Sequence, residues 1–408
     1  MRKLLAIMIA LSLFVVAGCT PAQEDEYAQG VTDTTIKIGN AADTNGTYSF
    51  IGGPFNHGLK AYLKRINDAG GVDGRTIEFV EKPSDFFNVP AGIAAVEELV
   101  EDEKIFALVG HFGSFTVAAT LPYIREQGIP MVYAATGIAD LFREKAVNDE
   151  RVVFPVQPVY QTEGQWMVAK VKEVFPNATK IGVFYTDDEA GQNLRWGVVQ
   201  QARALGLTVV SQQTPLTGTN ITPASQVTAM KAANVDVVIA AMNQGPFIQL
   251  ATELATQNVG KPLFTSYVSS NVTVTTALKG PTGPVGTKFD IYAGAWVDIT
   301  GDNAANYTQF VNDMTAYGQA ALATNAFAMA GWIAAHYFVE GLDRVEGVVT
   351  WEKFITAMES APIKNPLGGT IDYSDGKRWG TMEMSLLKAD PTQALGWIQE
   401  LPLSGITG

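Results

Sequence analysis

Short apolar or β-branched runs alternate with amphipathic helical stretches through most of the chain. The first series starts at Thr35, and a second series of the same order follows Arg151–Pro155. Because strands that alternate with helices form parallel sheets covered by helices on both faces, the two series predict two doubly wound, Rossmann-like α/β lobes. The continuous apolar run Ile105–Gly110 supports this fold class, since the central strands of such sheets are buried on both faces.

The C-terminal part of the chain has a different order. Three helical stretches are predicted at Asn303–Tyr317, Asn325–Leu342 and Thr350–Ser360. They are followed by two strand candidates, Gly369–Tyr373 and Thr381–Lys388, on either side of the turn sequence Ser-Asp-Gly-Lys. Because Asp-Gly between two strand candidates is typical of a tight hairpin, these strands are predicted to pair with each other.

Composition narrows the possible classes of function. Of the 408 residues, 28 are Lys or Arg and 41 are Asp or Glu, which gives a net charge of −13. A nucleic-acid-binding protein needs a basic face to neutralise phosphates, so this balance argues against that class. The single cysteine and three histidines argue against a disulfide framework and against a Cys- or His-built metal site, and no metal or cofactor is expected.

The N-terminus has the pattern of a secretion signal. Two basic residues precede the apolar run Leu4–Val16, which is too short to span a bilayer comfortably. The following Val-Ala-Gly-Cys, which ends at Cys19, resembles the lipobox of bacterial lipoproteins, where the signal is removed before a lipid-carrying cysteine. We therefore expect residues 1–18 to be a signal peptide and residues 19–34 a tether, lipid-anchored at Cys19 on the outer side of the cytoplasmic membrane, in the periplasm or at the outer cell surface. An ordinary signal peptide with an incidental cysteine is the alternative.

Several segments carry a family resemblance. The most specific is Asn67–Arg75, which reads NDAGGVDGR, and the others are Ile36–Gly39, Val109–His111, Gly128–Pro130 and Ile181–Val183. Together they resemble the leucine/isoleucine/valine-binding protein family, the type I periplasmic substrate-binding proteins of ABC transporters. The resemblance covers nearly the whole chain after the signal peptide.

The resemblance implies a type I periplasmic binding fold, in which a three-stranded hinge joins two Rossmann-like lobes and the ligand lies in the cleft between them. Lobe 1 would comprise residues 31–155 and 290–365. Lobe 2 would comprise residues 157–287 and 368–405. The protein would be a monomer that closes around its ligand.

In lobe 1, the loop Gly110–Ser114 ends a buried strand and opens a helix. Ligands of doubly wound sheets bind outside the carboxyl ends of strands, and a helix N-terminus offers N–H groups and partial positive charge to a carboxylate. In the family the matching serine binds the substrate carboxylate, which implies this role for Ser114; a helix cap with no ligand contact is the alternative. Further candidate contacts in lobe 1 are Phe50, Phe112, Ala135 and Thr136.

The loop Ala134–Gly137 follows the next strand. The resemblance implies that it supplies backbone groups and a threonine hydroxyl to the ligand. Thr136 and Gly137 both fit the position of that threonine, and a plain turn is the alternative.

In lobe 2 the chain departs from the family pattern. Ala190 falls where an aromatic residue often packs on the ligand, and Tyr267 falls near the acidic residue that receives the α-ammonium group of branched-chain amino acids. Asn243 is the candidate contact after the strand Val235–Ala241. These departures predict a bulkier acid without an ammonium group, or an ammonium group that is received by Asp188 or its acidic neighbours. A solvated acidic loop is the alternative.

The resulting hypothesis is a substrate-binding lipoprotein that captures an amino-acid-like molecule or an organic carboxylate and delivers it to an ABC transporter permease. The alternative within the same fold is a ligand sensor of the amide-regulator type. An enzyme is a weaker hypothesis, because no G-x-G-x-x-G follows the first strand and no G-x-S-x-G nucleophile elbow is present.

Overall fold

The computed structural model describes residues 26–85, 87–215, 220–279, 284–285 and 288–405. The predicted signal peptide and Cys19 lie outside these residues. Within the described part, no helix is long and apolar enough to cross a membrane.

The first sheet is parallel and has the strand order β2-β1-β3-β4-β5. Its strands are β1 (Thr35–Ala42), β2 (Thr76–Pro83), β3 (Ala107–Val109), β4 (Met131–Val132) and β5 (Val153–Phe154). Helices α1 (Ser49–Asp68), α2 (Val89–Glu97) and α3 (Ser114–Gln127) connect them, and α2 continues into one π-helical segment at Glu98–Asp102. Residues Ala107–Val109 are fully buried, as the apolar run predicts.

The second sheet has the order β14-β13-β10-β9-β8-β6-β7. Its parallel strands are β6 (Lys180–Thr186), β7 (Thr208–Thr214), β8 (Val237–Ala241), β9 (Leu263–Thr265) and β10 (Ile291–Ala295). The helices of this part are α4 (Tyr160–Val174), α5 (Glu189–Ala204), α6 (Ala224–Ala233), α7 (Gln244–Thr256) and α8 (Val272–Ala277). The structure therefore has the two α/β sheets that the sequence pattern predicts.

After β10 the chain returns to the first sheet. Helices α9 (Ala304–Ala316), α10 (Ala326–Asp343) and α11 (Trp351–Glu359) follow, and both α9 and α10 pack against α1. A short hairpin of β11 (Ile363–Lys364) and β12 (Thr370–Ile371) comes next, and then β13 (Glu383–Ala389) and β14 (Trp397–Gly405) complete the second sheet.

Two sequence predictions are wrong in this region. The sequence pattern places residues 290–365 in lobe 1, but β10 pairs with β9 and β13 in the second sheet, so the chain crosses over after Ala295. The strands on either side of Ser-Asp-Gly-Lys were predicted to pair, but β12 pairs with β11 and β13 with β10 and β14. The Asp-Gly pair forms a short helical turn in the segment that crosses between the sheets, where Asp375 has φ 56°.

Helices α1 and α10 cross in close contact because two glycines lie at the crossing. A Cβ atom at Gly58 would overlap the backbone carbonyl of Ala328, and one at Gly331 would overlap the backbone carbonyl of Phe55. The crossing matters for the site described next, because Phe55 and Ala330 both lie on its wall.

Candidate functional site

A cavity of about 250 Å³ lies between the two sheets at the carboxyl ends of their strands. The loops after β1, β3, β4, β8, β9 and β10 all contribute to its walls. This is the position where ligands of doubly wound sheets bind.

The loop after β1 brings Tyr48 to the cavity. The Asp43 carboxylate accepts hydrogen bonds from the backbone N–H groups of Gly46 (2.7 Å) and Tyr48 (2.9 Å), which shapes this loop. Burial raises the pKa of the Tyr48 hydroxyl above its ordinary value. Asn243, which follows β8 of the second sheet, lines the same cavity, so Tyr48 and Asn243 face it from opposite walls.

The loop after β3 presents Ser114 and the start of α3. Gly113 precedes the helix with φ 93° and has no side chain to cap it, so the first N–H groups of α3 receive no hydrogen bond from that position. The buried Ser114 hydroxyl lies 2.9 Å from the Thr136 hydroxyl. This gives the cavity a neutral donor set at a helix N-terminus, which suits a carboxylate.

His111 in the same loop is structural. Its side chain is fully buried, with Nδ1 3.2 Å from the carbonyl of Ala41 and Nε2 2.9 Å from the Thr120 hydroxyl. Burial lowers its pKa to about 4, so the imidazole is neutral at physiological pH.

The backbone of the loop after β4 is already hydrogen-bonded within the protein. The N–H of Ala135 donates to the carbonyl of His111 (2.7 Å), and the N–H of Thr136 donates to the carbonyl of Ala134 (2.8 Å). The family resemblance implies that backbone groups of this loop bind the ligand. These two N–H groups, however, are already engaged within the protein and are not free donors. Ala135 lines the cavity. Thr136 does not, but its hydroxyl lies within hydrogen-bonding distance of the hydroxyl of Ser114, which does.

A chain of neutral polar side chains forms the floor between the lobes. Tyr133 Oη donates to Gln157 Oε1 (2.8 Å), and Gln157 Nε2 donates to Tyr267 Oη (2.8 Å), which in turn donates to the carbonyl of Pro158 (3.0 Å). Tyr160 stacks on Tyr267 with ring centroids 6.0 Å apart. The neutral phenol predicted from Tyr267 thus lies on the cavity wall, with its hydroxyl held by this network.

Glu163 holds the loop that carries Tyr267. Its fully buried carboxyl group accepts hydrogen bonds from the Tyr267 N–H (2.7 Å) and the Ser266 hydroxyl (2.8 Å). Burial raises the pKa of Glu163 from its ordinary 4.5 to about 8, although the two hydrogen bonds act in the opposite direction.

Glu163→Gln is expected to remove part of the pH dependence of stability. Between the ordinary and the raised pKa the folded protein binds one more proton than the unfolded chain, so the free energy of unfolding falls as the pH rises through this window. Glutamine stays neutral and can keep both hydrogen bonds, since its amide accepts from Tyr267 and donates to Ser266. Urea unfolding at pH values below, within and above this window measures the fall in the free energy of unfolding. The control is Glu173→Gln, at an exposed position of the same helix, which should retain the pH dependence of the parent. A fall in Glu163→Gln as large as that of the parent would contradict the assignment.

The three acidic residues after β6 differ in burial: Asp187 is exposed, Glu189 is partly buried and Asp188 is buried. Asp188 is buried and caps α5, with Oδ1 accepting from the Gly191 N–H (2.8 Å) and the Thr186 hydroxyl (3.0 Å). Its Oδ2 atom has no hydrogen-bond partner among the described residues, and burial raises the pKa of its carboxyl group. Asp188 does not line the cavity but lies near enough to Tyr48 and Tyr160 to affect their ionisation.

The structure brings together five of the nine predicted contact residues. The cavity is lined by Phe112, Ser114, Ala135, Asn243 and Tyr267. The other four lie outside the lining. Thr136 lies behind Ser114, Asp188 is the N-cap of α5, Ala190 lies in the first turn of α5, and Phe50 is exposed on α1. Contact of any of them with a ligand remains a prediction.

Sequence reasoning missed the aromatic wall of the cavity. Phe55 stacks on Tyr133 with centroids 5.4 Å apart, and Tyr133 lies 6.1 Å from Trp296. The signal that could have found Tyr133 and Trp296 is their position at the ends of β4 and β10. Phe55 is one of the buried apolar residues of α1, together with Leu59, Tyr62 and Leu63, and this spacing is typical of an ordinary core helix.

Charged groups are scarce on the wall. Among the described lining residues, Asp298 is the single carboxylate, and no lysine or arginine is present. Oδ1 of Asp298 already accepts from the N–H (2.9 Å) and the hydroxyl (2.6 Å) of Thr300. Over the described part of the chain, no group of three or more His, Cys, Asp or Glu side chains could hold a metal ion.

Comparison with known proteins places this geometry in a family. Residues 35–394 match the family model described as periplasmic binding protein. The chain is 26% identical over 258 residues to Leu/Ile/Val-binding protein homolog 7 of Brucella abortus (strain 2308), and the match spans 60% of this chain and only 60% of that relative's length.

Two solved structures share the fold over almost the whole chain. One is the fatty acid ABC transporter substrate-binding protein from Thermomonospora curvata (TM-score 0.77, 20% identity, covering 93% of this chain and 95% of that chain). The other is a branched chain amino acid ABC transporter protein from Thermus thermophilus with bound valine (TM-score 0.77, 16% identity, covering 92% and 97%). Because one fold carries both descriptions, the ligand class has to be argued from this chain's own side chains.

Proposed function

The chain belongs to the periplasmic binding protein family, and we propose that it is the extracytoplasmic substrate-binding lipoprotein of an ABC importer, with an organic carboxylate that lacks an α-ammonium group as its ligand. The family is one of binding proteins rather than enzymes. The proposal has three parts: the ligand, the closure of the cleft and the membrane anchor.

The charge of the cavity wall carries the ligand proposal. An ammonium group in a closed cleft needs a carboxylate partner, because a buried unpaired charge is costly. The wall between Ser114 and Tyr267 offers hydroxyl and amide groups instead. Asp298, the single carboxylate among the described lining residues, comes from the crossover after β10 and accepts from Thr300 through Oδ1. A carboxylate, in contrast, finds the Ser114 hydroxyl and the N-terminus of α3.

Closure of the cleft is supported by the contacts that cross it. Gln157 in the first crossover bonds Tyr133, which follows β4 of the first sheet, and Tyr267, which follows β9 of the second sheet. Tyr48 and Asn243 line the same cavity from the two lobes. A ligand that completes these contacts would favour the closed arrangement of the lobes by its differential affinity.

Ser114→Ala is expected to weaken the binding of isocaproate, a branched monocarboxylate, by about tenfold or more. A hydrogen bond to a charged group contributes about 1.5–3 kcal/mol, and the alanine cannot donate one. Isothermal titration calorimetry of the parent and the variant measures the change, with the exposed Ser225→Ala on α6 as the control that should bind as the parent does. Equal affinity in the Ser114→Ala protein would remove this residue from the site.

Cys19→Ala is expected to release the protein from the membrane fraction. The proposal rests on the lipobox-like sequence, since Cys19 lies outside the described residues. Buried lipid contributes about 0.8 kcal/mol per methylene, so a diacylated cysteine anchors stably and its loss leaves the mature chain unanchored. Fractionation of cells that express each form tests this, and an unchanged membrane-bound fraction of the variant would contradict it.

A further inference from the structure

The cavity continues beyond the cleft between the lobes. Besides the residues of the cleft, its lining includes residues of the crossover that leaves β10, of the start of α10 and of the hairpin of β13 and β14. Most of its lining there is apolar and comes from three separate parts of the chain: Val297, Ile299, Phe327, Leu387, Leu395 and Trp397. Asp298 and Ser385 are polar residues of the same part of the lining, and Asp298 Oδ1 accepts from Thr300. We call this region the tail channel.

We propose that the tail channel holds the distal apolar part of an elongated monocarboxylate, such as a medium- or long-chain alkanoate, whose carboxylate is bound at Ser114. The inference rests on the proposed function and deepens it, since it names the shape of the ligand. It is carried by the continuity of one cavity from a polar end to an apolar end.

The two ends of the cavity differ in chemistry as the two ends of such a ligand do. The inner end has the hydroxyls of Ser114, Tyr160 and Tyr267. The outer end has aliphatic and aromatic side chains, and a buried alkyl chain gains free energy in proportion to the apolar area removed from water. An amino acid of ordinary size would leave this outer space without a partner.

The channel walls are held in place by contacts that do not involve a ligand. The indole Nε1 of Trp397 donates to the carbonyl of Asn271 (3.2 Å), so the ring lies with its polar atom satisfied. At the start of α10, the Asn325 side chain accepts from the N–H groups of Phe327 (2.9 Å) and Ala328 (3.2 Å). The channel is therefore built before a ligand arrives, which lowers the cost of binding.

The outer end reaches solvent. Thr300, Thr324 and Gln399 line it and are exposed. A chain longer than the channel could therefore extend past these residues without being folded back, and the cavity would accept a range of chain lengths rather than one.

A series of unbranched acids from butyrate through hexanoate and octanoate to decanoate tests the proposal by isothermal titration calorimetry, below the concentrations at which the acids self-associate. The affinity is expected to rise by about fourfold for each added methylene until the channel is filled. Ala326→Trp, at the first position of α10 on the channel wall, is expected to abolish the gain for octanoate and decanoate while butyrate binds as in the parent. Ala305→Trp, exposed on α9 and away from the cavity, is the matched control and should retain the rise.

Leu395→Asp gives a second variant that leaves both helices intact. It lies in the loop between β13 and β14 and is expected to weaken decanoate binding by about tenfold or more, whereas Ile398→Asp on the exposed side of β14 should not. Butyrate binding with no rise along the series, or the same rise in Ala326→Trp and Leu395→Asp, would overturn the tail channel alone. Failure of every acid to bind would overturn the proposed ligand class together with it.

Discussion

Gly58→Ala is expected to lower the free energy of unfolding by about 3 kcal/mol. The new methyl group would overlap the backbone carbonyl of Ala328, which can yield only if α10 moves away from α1. Interiors are close-packed, so such a movement opens gaps along the whole crossing. The loss should appear in urea unfolding as a lower midpoint with the same slope.

Gly53→Ala on the same helix is the matched control. An added Cβ at Gly53 meets nothing within 4 Å, so this variant should be as stable as the parent or gain about 0.5–1 kcal/mol from the better helix former. Equal stability of the two variants would show that α1 and α10 are not in contact at Gly58. The comparison also bears on the site, because the crossing sets the position of Phe55 on the cavity wall.

Much of the fold could be predicted from the chain because its lobes consist of local βα units. The helices predicted at Asn303–Tyr317 and Asn325–Leu342 also carry their own period and boundaries, and the structure has them at Ala304–Ala316 and Ala326–Asp343. The buried run Ile105–Gly110 and the glycine before α3, Gly113, also predict the loop Gly110–Ser114, which reaches the cavity.

The errors arose where the partner of a segment lies far away in sequence. Ile291–Ala295 reads as a strand in either lobe, and its sheet is decided by pairing with Leu263–Thr265 and with Ser385–Lys388. The Asp-Gly turn reads as a hairpin, but each flanking strand has a better partner elsewhere. Periodicity describes which face of a strand is buried and not which strand lies beside it.

The site was partly predictable for the same reason. Ser114, Asn243 and Tyr267 follow strand ends, so their place at the edge of the sheets could be expected. The tail channel could not be, since its walls come from a crossover, a helix start and a hairpin that meet only in three dimensions. Ala190 illustrates the opposite error: it too follows a strand, but it lies in the first helical turn and points into the core.

The central claim is that the cleft binds a carboxylate at Ser114 and the start of α3 and discriminates against a ligand that also carries an α-ammonium group. Leucine and isocaproate form a matched pair, because they share the carboxylate and the branched tail and differ only in the α-amino group. If the ammonium is buried without a partner, it costs about 3 kcal/mol or more, so isocaproate should bind at least about a hundredfold more tightly than leucine. Both ligands would meet the same Ser114, the same α3 N-terminus and the same apolar wall.

Asp188 is the residue that could reverse this preference. Its Oδ2 atom is buried without a hydrogen-bond partner among the described residues, and its charge lies close enough to Tyr48 and Tyr160, which line the cavity, to raise their pKa. Asp188→Asn keeps the shape of the cap and removes the charge. The claim requires this variant to leave isocaproate binding close to that of the parent.

Isothermal titration calorimetry of the parent and Asp188→Asn with leucine and isocaproate is therefore the most direct test. The account predicts that isocaproate binds the parent and the variant alike and that leucine binds neither with comparable affinity. Tight binding of leucine to the parent, lost in Asp188→Asn, together with no binding of isocaproate, would contradict it and identify Asp188 as the partner of an amino-acid ammonium group.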